Sequence, residues 1–200
     1  MRWKTRKVRG NLRFGEAPRK RLNLDWVPGA LKWLFQIAIV CFIAFVAVWY
    51  FGQRISAVGD SMNPVLENGD VVLVNRIVYD ATSPKRGDIV VFRPNGNENL
   101  HAYIKRIIGL PGETVRIEDD VIYIDGEPLD ESEYEVTGHT DAGLASEEIT
   151  LAGDEFFVLG DNRENSDDSR IADIGNVKRS DIEGKAWFVV SPWERFGFLS

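Results

Sequence analysis

WLFQIAIVCFIAFVAVWYF, residues 33–51, is a run of nineteen residues with one polar member, Gln36, and no charge. As a helix rising about 1.5 Å per residue, it approaches the ~30 Å hydrocarbon thickness of a bilayer. Lys32 and Arg54 flank it, and Trp33, Trp49 and Tyr50 stand near its ends, where amphipathic rings prefer the headgroup layers. Length and uniform apolarity argue against a buried core helix, so residues 31–52 read as a transmembrane helix. The chain is thereby divided into a basic tail, 1–30, and an external domain, 53–200.

Charge is divided at the same place. Residues 1–32 hold ten Lys or Arg against Glu16 and Asp25, whereas the remainder carries fourteen basic and twenty-nine acidic residues within a net charge of −7. A basic head can bind nucleic acid through phosphates, but here it leads directly into an apolar run, and topology explains it better. By the positive-inside rule the N-terminus stays cytoplasmic and residues beyond about 52 lie outside a cell membrane crossed once. A removable signal peptide is the competing reading. The apolar run exceeds the usual h-region of roughly 7–15 residues, and cutting at Ser56 or Ala57 would leave Ser61 close to a new terminus. In the tail, Pro18, Pro28 and Gly29 are expected to break any helix. Cys41, the single cysteine, falls within the apolar run, which sets thiol chemistry aside.

The external part reads as strands and turns. Val71–Val74, Asp88–Phe92, Tyr103–Ile108, Thr114–Ile117, Val121–Ile124, Glu155–Leu159 and Ala186–Val190 are short runs rich in β-branched residues, bounded by signals such as Asn68-Gly69-Asp70 and Leu110-Pro111-Gly112. Residues 115–117 and 121–124 form an expected hairpin. Residues 130–150 are acidic and weakly patterned, as in a surface excursion. The expected architecture is one transmembrane helix followed by a mostly β domain.

Three segments carry possible chemistry. Gly59-Asp60-Ser61-Met62-Asn63-Pro64 puts Ser61 on a loop constrained by Gly59 and Pro64. A serine hydroxyl needs an adjacent base to become a nucleophile, and on this segment alone Ser61 reads better as an ordinary turn serine. On a strand, Tyr103, Lys105 and Ile107 share one face while Ile104, Arg106 and Ile108 share the other. A lysine kept from water loses preference for its charged form and becomes a candidate base, although a solvated strand lysine is the commoner case. The third segment, Gly160 to Arg170, packs carboxylates, amides, hydroxyls and two arginines behind an apolar strand. Asp161, Asn165, Asp167 and Asp168 could supply oxygens to calcium, but the Asp-x-Asp-x-Asp-Gly spacing and the terminal Glu are missing, so no metal is expected.

Taken in order, Gly59 to Leu66, Gly69 to Arg76, Arg86 to Phe92, Tyr103 to Gly112 and Gly160 to Arg170 resemble the successive motif boxes of the type I signal peptidases, and more closely those of the short, single-anchor bacterial members. The resemblance runs from about Trp33 to the end. It implies a β-domain of two antiparallel sheets and a serine endopeptidase that removes signal peptides from secreted preproteins at the bilayer surface, without a cofactor. By the same likeness Ser61 is the nucleophile, Lys105 the general base, and Ser166 orients the amine. Asp161 with Arg106, and Asp168 with Arg170, would be structural ion pairs. Ala57, Met62, Leu66, Tyr103 and Ile104 would wall the shallow subsites for small residues at the first and third positions before the cut. Gly59 departs from members that have serine there as an oxyanion donor, so the Ser61 N–H must do more, or the Gly59 amide contributes. Short bacterial members also carry glycine at this position.

His101 lies on the Lys105 face of the strand, and relatives in the endoplasmic reticulum use histidine as base, but the matching position here is Lys105. Self-cleaving Ser–Lys repressors have no membrane span. A membrane-tethered binding module for basic partners would explain the anchor and the acidity, but not the three coincident segments. Within ten residues of Phe51, Ser61 cannot lie much more than about 35 Å from the membrane, which would confine it with a tethered substrate. Trp187, Phe188, Trp193, Phe196 and Phe198 read either as core or as an apolar surface.

Overall fold

The computed structural model describes residues 27–97 and 101–199, so the expected basic tail, 1–30, falls almost wholly outside the described residues. The chain forms two compact units, 1–42 and 43–200. Helix α1 spans Val27–Phe51. Its segment Val27–Val46 has a mean hydropathy of 2.1 and is not buried in the protein, so it is long and apolar enough to cross a membrane. Pro28 and Gly29, expected to break a helix, sit in its first turn. The missing proline N–H costs nothing there, because the first N–H groups of a helix have no partner in any case.

The β-domain begins with β1 (Gln53–Ser56) and β2 (Val71–Asn75), followed by a single helical turn, α2 (Val78–Ala81). Next come β3 (Ile89–Phe92), β4 (Tyr103–Gly109), β5 (Thr114–Glu118), β6 (Val121–Ile124), β7 (Glu127–Pro128) and β8 (Ile149–Thr150). The last four are β9 (Glu155–Leu159), β10 (Val177–Lys178), β11 (Ile182–Ser191) and β12 (Gly197–Phe198). Two antiparallel sheets result. The larger runs β1-β2-β11-β3-β4-β9-β10 with β12 added to β11, and the smaller runs β7-β6-β5-β8. The long runs read from the sequence coincide with strands, while two-residue strands such as β7 and β12 are too short to leave a pattern. The 115–124 hairpin closes through Asp119 and Asp120 at φ +50° and +66°. A two-residue I′ turn requires positive φ at both positions, and aspartate tolerates it.

The core falls into three buried clusters, and β4 enters all of them, with Ile104 in the first, Ile107 in the second and Ile108 in the third. A strand anchored on both faces holds Lys105 and Arg106 in fixed places between those apolar neighbours. The acidic stretch 130–150 is mostly irregular, yet it is tied down: Thr137 bridges to Asn162 and the Ala145 side chain is wholly buried. Where β12 joins β11, Trp187, Phe188, Trp193, Phe196 and Phe198 pack ring against ring, with Trp193 and Phe198 nearly four-fifths exposed.

Candidate active site

Ser61 lies on the 57–70 loop between β1 and β2. The loop is closed at its base by the Ala57 N–H donating to Asp70 O at 2.7 Å and the Gly69 N–H to Ala57 O at 2.9 Å. Gly59 takes φ +81°, a backbone state open to glycine at no steric cost. Two turns follow, Asn63 N–H to Asp60 O (3.1 Å) and Leu66 N–H to Met62 O (2.8 Å). Ala57, Met62 and Leu66 are buried in the first cluster and peg the loop to the core. From the far end of the chain Arg195 clamps the same loop. Its Nε donates to Asp70 Oδ2 at 2.9 Å, its Nη1 to Glu67 Oε1 at 2.7 Å, and its Nη2 to the carbonyls of Pro64 and Val65 at 3.0 and 2.9 Å.

On β4, Tyr103 and Lys105 share a face, with the amine 5.7 Å from the Tyr103 ring centre. Lys105 is 2% exposed and its Nζ donates to Ser61 Oγ at 2.6 Å. Burial pushes the amine from 10.5 down to about 8. The carboxylates of Asp168, Asp167 and Asp161 oppose that fall, and Arg170 adds to it. An amine of this kind is neutral in part near pH 7 and can take a proton from the hydroxyl beside it.

The 160–170 loop completes the surroundings. A Cβ at Gly160 would lie 2.2 Å from Ser166 Oγ and 2.4 Å from Ser61 O, so the close approach of the two loops requires glycine there. The Asn162 N–H donates to Ser61 O and its Nδ2 to Asp60 O, both at 3.1 Å. Arg106 makes a two-pronged contact with Asp161, Nε to Oδ1 at 2.8 Å and Nη2 to Oδ2 at 2.9 Å, with both side chains out of solvent. Arg170 grips Asp168 in the same way at 2.8 Å on each side, and Asp168 Oδ2 also accepts the Gly160 N–H at 3.1 Å. Arg163 joins the set, donating to Gly160 O at 3.0 Å and to Glu131 Oε1 at 2.5 Å.

An open cleft of about 380 Å³ contains Ser61 and Lys105 and is walled by Ala57, Met62, Tyr103 and Ile104, with Gly59, His101 and Asp167 at its polar parts. Three expectations are placed differently. Leu66 is not on the wall, because the 62–66 turn points it into the core, where it is fully buried. The Ser166 Oγ is buried without a hydrogen-bond partner and makes no bond to Lys105. The Gly59 N–H, a candidate oxyanion donor, is already engaged by Asn68 Oδ1 at 3.1 Å. His101 is exposed in the cleft, and His139 pairs instead with Asp120 at 2.9 Å.

Sequence reasoning passed over Gly160, Arg163, Glu131 and Arg195. The first two lie inside a loop already singled out for its charges. Glu131 is one acid among many in the 130–150 stretch, and Arg195 has partners 125 to 131 residues away, so no local pattern marks either.

A serine hydroxyl hydrogen-bonded to a buried amine in an open cleft is a serine-hydrolase type of site, with nucleophile and base within reach of each other. The model of the family described as signal peptidase, peptidase S26, matches residues 30–193, and the chain belongs to that family. It is similar to signal peptidase I of Bacillus caldolyticus, 35% identical over 177 residues that cover 84% of this chain and 93% of the relative. Signal peptidase I P of Bacillus subtilis subsp. natto is 34% identical over 188 residues, covering 91% and 97%. Among solved structures, a signal peptidase I from Enterococcus faecalis V583 is 36% identical, with a TM-score of 0.42 over 52% of this chain and 97% of that one. Family membership makes this chain a serine endopeptidase.

Proposed function

We propose that this protein removes N-terminal signal peptides from exported preproteins by a Ser61–Lys105 dyad, cutting after small residues at the first and third positions before the scissile bond. The observation that carries the reading is the 2.6 Å contact between Ser61 Oγ and an amine lowered to about 8 by burial. The neutral amine takes the Ser61 proton as Oγ attacks the peptide carbonyl carbon. The tetrahedral oxyanion is met by the Ser61 N–H, which makes no hydrogen bond to any described residue. Lys105, now protonated, gives its proton to the leaving amine, and an acyl-enzyme ester remains. A water deprotonated by Lys105 then hydrolyses that ester.

Ala57, Met62, Tyr103 and Ile104 form shallow apolar walls beside the dyad, which suits alanine-sized side chains better than large ones. Arg106, Asp161, Asp168 and Arg170 serve as positioning residues that set the last loop against β4, and Gly59 lets the loop turn before the nucleophile. The role of Ser166 in orienting the Lys105 amine rests on the family likeness alone. The tail 1–30 is cytoplasmic, residues 31–52 cross the cell membrane and residues 53–200 act outside it, on preproteins held in the same bilayer.

Incubating the detergent-solubilised full chain with a preprotein and mapping the products by mass spectrometry tests this. A single cut after a small-x-small sequence is expected, lost by about 10³-fold or more in Ser61→Ala and in Lys105→Ala, the scale of losing a nucleophile or its base. Full cleavage by Lys105→Ala would sink the dyad.

A further inference from the structure

A second cleft, of about 460 Å³, opens apart from Ser61 and is lined by Arg54, Arg76, Arg93, Ser180, Asp181 and Glu183. Its charges are not all satisfied within the protein. Arg93 is paired with Glu183, and the Ser180 hydroxyl donates to Asp181 Oδ1 at 3.1 Å. Arg54 and Arg76 are exposed and form no ion pair with any described residue. Two unpaired guanidiniums, each a planar fork of donors, suit the tetrahedral oxygens of a phosphate.

Chain connectivity says where this cleft lies. Arg54 is the third residue after Phe51, the end of α1, so its backbone stands no more than about 11 Å beyond the helix end. Gln53 pairs with Val74 across β1 and β2, and that register carries Arg76 into the same neighbourhood. The polar layers of a bilayer add roughly 5–7 Å on each side of the hydrocarbon, a depth that the arginine side chains span. An anchor ending at Phe51 therefore leaves the rim of the cleft at lipid headgroups.

We propose that this cleft binds the phosphate headgroup of an anionic phospholipid, gripped between Arg54 and Arg76. Bound lipid fixes the domain against the bilayer at the foot of its anchor. Neither Ser61 nor Lys105 takes part, so lipid retention can be read whether or not the protease reading holds.

Native mass spectrometry of the full chain in neutral detergent, titrated separately with phosphatidylglycerol and phosphatidylcholine, decides it. The wild type retains phosphatidylglycerol in preference. Arg54→Gln with Arg76→Gln loses that preference, by about fivefold for each arginine removed, while the charge-keeping Arg54→Lys with Arg76→Lys keeps most of it. Asp181→Asn, which removes the one acid not neutralised by an arginine, retains phosphatidylglycerol more strongly. Equal retention of the two lipids by the wild type overturns the proposal, as does an unchanged preference in the double Gln variant with unaltered near-ultraviolet circular dichroism. Displacement of phosphatidylglycerol by inorganic phosphate at equal concentration marks a free-anion site and overturns the lipid assignment.

Discussion

The 57–70 loop carries Ser61 and the 160–170 loop meets its backbone carbonyl, but the two are secured differently. The first is pinned by apolar pegs, by backbone closure at Ala57, Gly69 and Asp70, and by one half-buried arginine from the C-terminal segment. The second is held by guanidinium–carboxylate pairs that exclude water. Apolar pegging tolerates the loss of single contacts, because each contributes a modest share. A buried ion pair is asymmetric: together the partners roughly offset their desolvation, but one alone is costly. The nucleophile is thus carried by the more forgiving loop, and the surroundings of the base by the less forgiving one.

The largest effect separating the two loops comes from Asp161→Ala, which removes the two-pronged carboxylate partner of the buried Arg106 guanidinium and leaves its charge uncompensated by Asp161. A loss of about 3–5 kcal/mol is expected in urea unfolding, with the double change Arg106→Met and Asp161→Leu losing much less. If the single and double variants unfold alike, the pair is not the fastening element of that loop. Lys105 gives the next effect, with the opposite sign. At ~1.36 kcal/mol for each pKa unit, the fall from 10.5 to about 8 means that the folded state carries roughly 3 kcal/mol of penalty while the amine is protonated. Below pH 8 both folded and unfolded chains hold the proton, and the penalty is complete. Between pH 8 and 10.5 the folded chain releases it while the unfolded chain keeps it, so stability rises with pH. Lys105→Met should therefore stabilise the domain at pH 6 and lose that advantage above pH 10.5, while cleavage by the wild type rises through pH 8. A flat comparison of melting temperatures across that range would refute the burial account.

Smaller still, Arg195→Ala leaves the buried Asp70 carboxylate with the Glu67 N–H but without its cation. We expect a loss of about 1–3 kcal/mol, together with a lower kcat and little change in KM, because the loop carrying Ser61 loosens while the cleft walls stay. Lysine at position 195 cannot reproduce four diverging contacts and should rescue little. A fall in stability with kcat intact would make Arg195 merely structural. His139→Ala, which removes an exposed contact to Asp120, should change neither melting temperature nor cleavage.

What was legible in the sequence follows from the range of the forces involved. The strand at 103–109 is visible because alternation along one chain is a local pattern, and Ser61 and Lys105 stand out because their motifs are local too. Arg195 is invisible, since its clamp exists only after residues more than a hundred positions apart are brought together. The 130–150 stretch reads as a solvated excursion because acids outnumber apolar residues. Glu131 is in fact committed to Arg163, a buried cation that composition cannot reveal. Leu66 and Ser166 lie close to the site in the sequence, yet which way each points is decided by the turn at 62–66 and by the tight approach at Gly160.

Lys105 and Arg106 are neighbours on β4 that meet burial in contrary ways, one by losing affinity for its proton and the other by taking a carboxylate. They point to opposite faces, so sliding β4 one residue against Ile89 and Val90 of β3 would put Arg106 in the place of Lys105 and Ile107 in the place of Arg106. A guanidinium would then stand at Ser61, and it has no lone pair with which to accept a proton. An isoleucine would face the buried Asp161 carboxylate, which would lose its guanidinium partner. Strand register in this protein is therefore a condition of its chemistry as well as of its fold: a slipped sheet could keep most of its apolar packing and still have no base.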